Sequence, residues 1–262
     1  MEKIITLFNV LHAPWHVLSF AINLAKESGG NITGVFLSPS SKHKTYPFPN
    51  DMNLTEETLS EQMISKENEE LLNDDIKLFN DECAYSGISA DVKSNVSIDQ
   101  FIDDCKPEHL IIADTRAEFI NTLLPKISCP VLLTGEKAAP NKSVLMLDER
   151  ESSRHAIKKF AEVLPKFTEL PATIVSVNLN DEQNSANAAF VKSLHGTFKD
   201  LEVKKLNGNI ERELLNFLQN GNDDSIVVMG AFGRSGVSRF FQDSLANVVL
   251  DETRLSLFIV HL

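Results

Sequence analysis

Cysteine is scarce in this sequence, and basic charge is outnumbered by acidic charge. Only three cysteines occur among the 262 residues, Cys83, Cys105 and Cys129, and no two of them form a C-x-x-C pair. An odd count without that spacing excludes a disulfide framework and a zinc knuckle, so we expect free thiols in a reducing compartment. Lysine and arginine total 25 against 37 acidic residues, a net charge of −12. This balance argues against a nucleic-acid partner and against docking on anionic lipid.

Long hydrophobic runs and familiar catalytic motifs are also missing. No segment approaches the roughly 20 apolar residues of a membrane-spanning helix, so we expect no membrane partner. The N-terminus lacks the layout of a signal peptide, and we expect a cytoplasmic protein by default. The G-x-S-x-G, H-E-x-x-H and Walker-type G-K-[ST] motifs are absent, so we predict no catalytic residues and no enzyme activity. His12 and His16 lie four residues apart but have no third ligand nearby in sequence, and we predict no metal site.

A strand–helix–strand pattern near the N-terminus is repeated in the second half of the chain. In the first copy the apolar runs 4–8 and 32–37 flank a helical repeat of apolar residues, which ends at Gly29-Gly30. In the second copy the runs 143–147 and 173–177 flank a similar helix, at offsets of 139 to 141 residues. Each pattern predicts a βαβ unit with parallel strands and a right-handed crossover.

Later offsets indicate where the two copies differ. Leu110–Asp114 matches Ile226–Gly230 at an offset of 116, so the first copy carries 25 extra residues around Ser38–Glu70. They lead into a long acidic helix predicted over Glu56–Glu82, whose expected core-packing residues are Leu59, Met63, Leu71, Leu72, Ile76 and Phe79. The final strands match at an offset of 126, so the first copy is 10 residues shorter before its last strand and its fourth helix must be short.

Together these patterns predict the fold class. Each copy is predicted to run β-α-β-α-β-α-β-α-β, and the polar segment 135–141 is typical of a linker. We therefore predict an α/β protein with two repeated, doubly wound, parallel five-stranded sheet domains. The first domain would span residues 1–138, with the insertion near 38–70, and the second would span residues 141–262.

Glycines follow the fourth strand of the second copy. Ile226–Met229 leads into the loop 230–236 (GAFGRSG), and a helical stretch with Asp243 and Ser244 comes next. Glycines directly after a parallel strand let backbone N–H groups approach an anion, and the next helix adds the positive end of its dipole. Asp148 ends the first strand at the same sheet edge, where it could accept hydrogen bonds from an amino or ribose hydroxyl group. The alternatives are a tight turn for the glycines and a helix N-cap for Asp148.

Three segments resemble the universal stress protein family in its tandem two-domain form. Residues 148–156 (DERESSRHA) are similar to the family's D-x-S-x-x-S-x-x-A opening, and residues 229–241 (MGAFGRSGVSRFF) are similar to its M-G-x-x-G-R-S-G-x-S-R loop. Residues 129–133 (CPVLL) resemble its final strand. The resemblance covers nearly the whole chain, and for ATP-binding members it implies a phosphate loop of the form G-x2-G-x9-G-[ST].

Carried over to this sequence, the resemblance implies an adenine-nucleotide site with ATP and Mg²⁺ as candidate cofactors. The cofactor-binding residues would be Asp148, Val177, Gly230, Gly233, Arg234, Ser235, Gly236, Asp243 and Ser244. Asp243 stands where the family has its third glycine. A carboxylate about 4 Å from a phosphate costs about 4 kcal/mol at an effective dielectric of about 20, unless a Mg²⁺ lies between them. In the first copy Asn9 replaces the aspartate and residues 113–116 contain no glycine, so we expect no nucleotide site there.

The resemblance also implies an intramolecular pseudo-dimer, because family members pair through their fifth strands. Here those strands are Val131–Thr134 and Leu257–Leu262, two apolar edges that would otherwise be exposed; a homodimer stays open. For function we favour a non-enzymatic universal stress response protein, regulatory or scaffolding, with weak or absent nucleotide binding and with protein partners. The alternative is an ATP-binding switch, or a slow ATPase, that uses only the C-terminal domain. Asp243 is the residue that separates the two.

Overall fold

A computed structural model describes most of the chain in two compact units. The described residues are 3–9, 14–38, 54–135, 140–177, 185–221, 224–230, 253 and 255–261, with backbone only for 54–67, 177, 185, 210 and 211. The units are Glu2–Asp104 and Cys105–Leu262. In the part of the chain that is described, no helix combines the length and the apolar character needed to cross a bilayer.

The first unit alternates three strands with three helices. They are β1 (Lys3–Asn9), α1 (Trp15–Ser28), β2 (Ile32–Leu37), α2 (Leu54–Tyr85), β3 (Ala90–Val96) and α3 (Ile98–Asp104). The strands are parallel in the order β3-β2-β1. Helix α1 ends where the sequence predicts, because Gly29 adopts the left-handed conformation (φ 66°) that glycine accepts without strain. Aromatic rings of Phe8, Phe36 and Phe79 pack together in its core, with centroids 5.1 to 6.2 Å apart.

Besides a short 3-10 helix at Pro165–Glu169, the second unit contains seven strands and four α-helices among its described residues. They are β4 (His109–Asp114), α4 (Ile120–Leu123), β5 (Val131–Thr134), β6 (Lys142–Met146), α5 (Glu151–Val163), β7 (Pro171–Val177), α6 (Ser185–Leu194), β8 (Asp200–Leu206), α7 (Ile210–Gln219), β9 (Ser225–Gly230) and β10 (Ser256–Val260). Their order is β4-β5-β10-β9-β6-β7-β8. Every neighbouring pair is parallel except β5 and β10.

The order of strands confirms the predicted fold class and its repeat. The second copy is a complete five-stranded sheet, β8-β7-β6-β9-β10, in which the chain winds outward from β6 in both directions. The first copy supplies β3-β2-β1 in the first unit and the parallel pair β4-β5 in the second. Helix α4 has only four residues, as the shorter first copy requires. The domain boundary between residues 138 and 141 stays a prediction.

Strands β5 and β10 pair as the resemblance implies. They are antiparallel, with Leu257 opposite Leu133, Phe258 opposite Leu132 and Ile259 opposite Val131. All six side chains are buried. The pairing brings β4 and β5 into one compact unit with the second copy, so the compact units do not coincide with the two sequence repeats. It also covers two apolar strand edges at once.

Candidate functional site

Three of the predicted site residues lie at one edge of the second unit. Strands β6, β7 and β9 are parallel, with Met146 opposite Val175 and Leu145 opposite Val228. Their carboxyl ends therefore meet at the same edge of the sheet, which is where ligands bind in open α/β folds. Val177 ends β7, Gly230 ends β9, and Asp148 follows β6 by two residues.

The carboxylate of Asp148 is held by Arg150. Oδ1 of Asp148 accepts a hydrogen bond from the backbone N–H of Arg150 (2.9 Å), and Oδ2 accepts one from the Arg150 Nε (2.6 Å). A terminal guanidinium nitrogen of Arg150 also forms an ion pair with Oδ2. Each side chain is 37% exposed. Asp148 thus closes an Asx turn and is paired with a cation at the same time.

The predicted alternative role for Asp148, a helix N-cap, is not what the structure has. Helix α5 begins at Glu151, and its N-cap residue is Arg150, without a side-chain hydrogen bond to the helix. Asp148 lies two residues before the N-cap, and its carboxylate is directed to the backbone N–H of Arg150. The turn therefore fixes the entry of the chain into α5 without capping the helix.

Two further residues hold this loop in place. Asn187, 6% exposed on α6, donates from Nδ2 to the backbone carbonyl of Asp148 (2.9 Å) and accepts at Oδ1 from Arg154 (2.8 Å). The hydroxyl of Ser153 donates to the carbonyl of Arg150 (2.9 Å). Sequence reasoning missed Arg150 and Asn187. Arg150 had a local signal, since it stands where the family opening has a serine, but Asn187 is 39 residues from Asp148 and had none.

Gly230 is required by packing against helix α5. A Cβ built on Gly230 would lie 2.8 Å from the backbone nitrogen of Ser153, and closer still to the backbone carbonyl of Ser152. Atoms of the main chain cannot move aside as a flexible side chain would. The last residue of β9 must therefore lack a side chain for the first turn of α5 to pack against it.

The remaining predicted site residues lie outside the described part of the chain. These are Gly233, Arg234, Ser235, Gly236, Asp243 and Ser244. For Val177 the backbone is described and pairs with Leu206. The structure therefore places Asp148, Val177 and Gly230 at one edge of the sheet, while the phosphate loop predicted between β9 and β10 stays a prediction.

The same kind of turn occurs in the first copy, at the end of β4. Oδ1 of Asp114 accepts from the backbone N–H of Arg116 (2.6 Å), and Oδ2 lies 3.4 Å from a terminal guanidinium nitrogen of Arg116. We call the two arrangements, Asp114–Arg116 and Asp148–Arg150, the Asp-x-Arg turns. Because β5 and β10 are antiparallel, the carboxyl ends of β4 and β9 lie at opposite edges of the sheet in this unit. The turns are therefore two separate features.

Metal-binding groups are not found among the described residues. Within the ranges given above, no three His, Cys, Asp or Glu side chains are placed to hold a metal ion together. His16 lies in the described helix α1, whereas His12 lies outside the described residues.

Comparison with known proteins identifies the fold. The sequence matches no family model and no curated protein. Among solved structures, a universal stress protein from Archaeoglobus fulgidus DSM 4304 is similar over 98% of both chains, with a TM-score of 0.69 and 15% identity. A functionally unknown protein from Pseudomonas aeruginosa PAO1 is similar over 100% of this chain and 92% of its own, with a TM-score of 0.57 and 14% identity. The chain therefore has the fold of the universal stress proteins, with two copies of the repeat.

Proposed function

We propose that this chain is a universal stress protein that acts without catalysis, as a regulator or scaffold for protein partners, and that it binds adenine nucleotides weakly or not at all. The observation that supports this most directly is the Asp148–Arg150 pair. The carboxylate that would have to accept hydrogen bonds from a nucleotide already accepts them from its own chain.

Replacing those bonds with bonds to a nucleotide is unfavourable. A hydrogen bond in which the donor or the acceptor is ionised is roughly twice as strong as one between two neutral groups. An amino or ribose hydroxyl donor would still bond the ionised carboxylate, but it is neutral and would not replace the ion pair that Arg150 makes with Asp148. Both side chains are partly exposed, and an exposed ion pair contributes about 0–1 kcal/mol, so the preference of Asp148 for Arg150 is small.

Gly230 supports the same conclusion. Its close contact with the backbone of Ser152 and Ser153 explains the glycine without any ligand. A glycine at the end of a strand indicates a phosphate site only when packing does not already demand it. Two residues on which the nucleotide hypothesis depends, Asp148 and Gly230, thus have structural roles of their own.

The experiment is a thermal-unfolding titration with Mg-ATP. A ligand that binds only the native state at about 100 times its Kd adds about 2.7 kcal/mol to the free energy of unfolding. For the wild-type chain we expect no such rise at millimolar Mg-ATP. Asp243→Gly restores the family's third glycine and removes a negative charge, so affinity should rise about tenfold or more, which corresponds to about 1.4 kcal/mol. Asp148→Ala in that background should weaken binding again.

Arg150→Ala tests the contribution of the ion pair. Removing the guanidinium frees the Asp148 carboxylate, and Mg-ATP affinity should increase, most clearly in the Asp243→Gly background. Arg116→Ala is the matched control, because it opens the other Asp-x-Arg turn at the opposite edge of the sheet and should leave affinity unchanged. If the wild type binds Mg-ATP with a Kd of about 1 μM and Asp243→Gly and Arg150→Ala leave the affinity unchanged or weaken it, the proposal is wrong. The ATP-binding switch is then the better function.

A further inference from the structure

Two of the three cysteines meet at one edge of the β4–β5 pair. Strands β4 and β5 are parallel, with Ile111 opposite Val131, and the N–H of Ile111 donates to the carbonyl of Pro130 (3.0 Å). Cys105 lies in the loop before β4, and Cys129 lies two residues before β5. Parallel pairing therefore places both segments at the amino-terminal edge of the same two strands.

The thiols of Cys105 and Cys129 are hydrogen-bonded to each other. This bond from Cys105 lowers the pKa of Cys129, although burial of Cys129 acts in the opposite direction. Cys129 is completely buried, whereas Cys105 is only half-buried and lies in a loop. Cys105 is thus the more accessible member of this hydrogen-bonded pair.

The third cysteine, Cys83, has a different environment. It is buried on helix α2, and desolvation together with the neighbouring charge of Glu82 raises its pKa to about 11. A thiol attacks oxidants only as its thiolate, so a raised pKa and burial make Cys83 unreactive. The chain therefore carries an unreactive cysteine that serves as an internal control.

We propose that Cys105 and Cys129 form a dithiol modification site, which small hydroperoxides oxidise to an intrachain disulfide. The inference depends on the placement of both cysteines at one edge of the β4–β5 pair, on the side-chain hydrogen bond between them and on the greater exposure of Cys105. It does not depend on the function proposed above, since it involves neither a nucleotide nor the edge that carries Asp148.

The reaction balances with a hydroperoxide as the oxidant. The pair loses one proton to solvent, and the hydrogen bond from Cys105 favours the resulting thiolate on Cys129. Transfer of the remaining proton from Cys105 to Cys129 along this bond moves the negative charge to Cys105. The Cys105 thiolate attacks the outer peroxide oxygen, the O–O bond breaks, and the departing alkoxide or hydroxide takes a proton from solvent. Cys105 is then a sulfenic acid. The Cys129 sulfur attacks the Cys105 sulfur, the S–O bond breaks, and hydroxide leaves with the Cys129 proton as water. Two thiols and one hydroperoxide thus give one disulfide, one alcohol or water, and one further water.

The test uses the full chain and hydrogen peroxide. After oxidation, quenching and denaturation, the count of free thiols should fall from three to one. The intact mass should fall by two hydrogens, a peptide map should link Cys105 to Cys129, and dithiothreitol should restore all three thiols. Cys83→Ser should form the same bridge and end with no free thiol. Cys105→Ser should form no bridge.

Cys129→Ser separates the two steps of the reaction. Without the second sulfur, the Cys105 sulfenic acid should persist and be trapped by a dimedone probe. If this buried substitution prevents folding, the peptide map of the wild type alone decides. The proposal is overturned if peroxide modifies Cys83 as readily as Cys105, if Cys105 passes to sulfinic acid while Cys129 stays free, or if the folded wild type forms no Cys105–Cys129 bridge.

Discussion

His261 follows strand β10, and its environment makes the stability of the fold depend on pH. Burial lowers the pKa of His261 below 6.5, and a hydrogen bond with the backbone of Leu124 opposes this only in part. The unfolded chain therefore binds a proton at a higher pH than the folded chain does. The stabilisation is present above about pH 6.5 and is lost as the pH falls below it.

We therefore expect a difference between the wild type and His261→Gln in acid. Between about pH 7.5 and about pH 5.5 the wild type should lose more of its free energy of unfolding than the variant does. Urea unfolding of each protein at both pH values measures this loss. Because each protein is compared with itself, an effect of the substitution on stability that does not depend on pH cancels. His155→Gln, at an exposed position on α5, is the control and should behave as the wild type does. Equal losses in the wild type and His261→Gln would contradict the assignment.

Individual side chains also show how far sequence reasoning could go at the candidate site. The positions of Asp148 and Gly230 followed from strand ends alone, because parallel strands finish at one edge. Their partners did not, since the Asp148–Arg150 contact depends on a side-chain conformation and the Asn187 contact on the docking of α6. Sequence reasoning could place these two residues at the sheet edge but could not tell whether the polar groups there are already hydrogen-bonded within the chain.

Helix α2 illustrates the same limit for a secondary-structure element. The helix was predicted over Glu56–Glu82 and is found over Leu54–Tyr85. Its buried positions are Leu72, Phe79 and Cys83, with Ile76 half-buried between them, a spacing that follows one face of a helix. The prediction that Leu71 packs on the core was wrong. It is 48% exposed, because it lies about 100° around the helix from Leu72. The side chains of Leu59 and Met63 lie outside the described residues.

The contact that fixes α2 on the sheet is between Phe79 and Gly34 of strand β2. A Cβ on Gly34 would lie 2.9 to 3.1 Å from three atoms of the Phe79 ring, which is itself buried against Phe8 and Phe36. In a strand where the added methyl group meets no neighbouring atom, replacing glycine with alanine stabilises the folded protein. Here we expect Gly34→Ala to destabilise the protein by about 1–3 kcal/mol, because the ring must move within a close-packed core.

A double-mutant cycle isolates this contact. Phe79→Leu makes room at the same place, so Gly34→Ala should cost less in that background than in the wild type, by at least about 0.5 kcal/mol. Denaturant unfolding of the four proteins measures the difference. Equal costs in both backgrounds would show that the ring is not what excludes a side chain at residue 34.

For the molecule as a whole, the β5–β10 pair is the contact that joins the two sequence repeats. Alone, each strand would be an exposed apolar edge of its own sheet, a template for aggregation. Antiparallel pairing turns both edges into the interior of one sheet. The prediction of this pair required only the apolar last strands and the family resemblance. The extent of each compact unit could not be predicted, because it depends on which contacts dominate once the strands have paired.

The register of this pair predicts which cysteines would cross-link it. Leu133 and Leu257 are directly opposite, and opposed residues of an antiparallel pair have Cα atoms about 4.5–5.5 Å apart, within the range of a disulfide. Leu133→Cys with Leu257→Cys should therefore form an intrachain bridge under mild oxidation, found by peptide mapping and by non-reducing electrophoresis as a monomer. Leu133→Cys with Ile259→Cys is the matched control, since that diagonal pair shares a face but lies about 7–8 Å apart and should form little or no bridge. A bridge found between two chains instead would mean that the strands exchange in a dimer, and the intramolecular pairing would then be wrong.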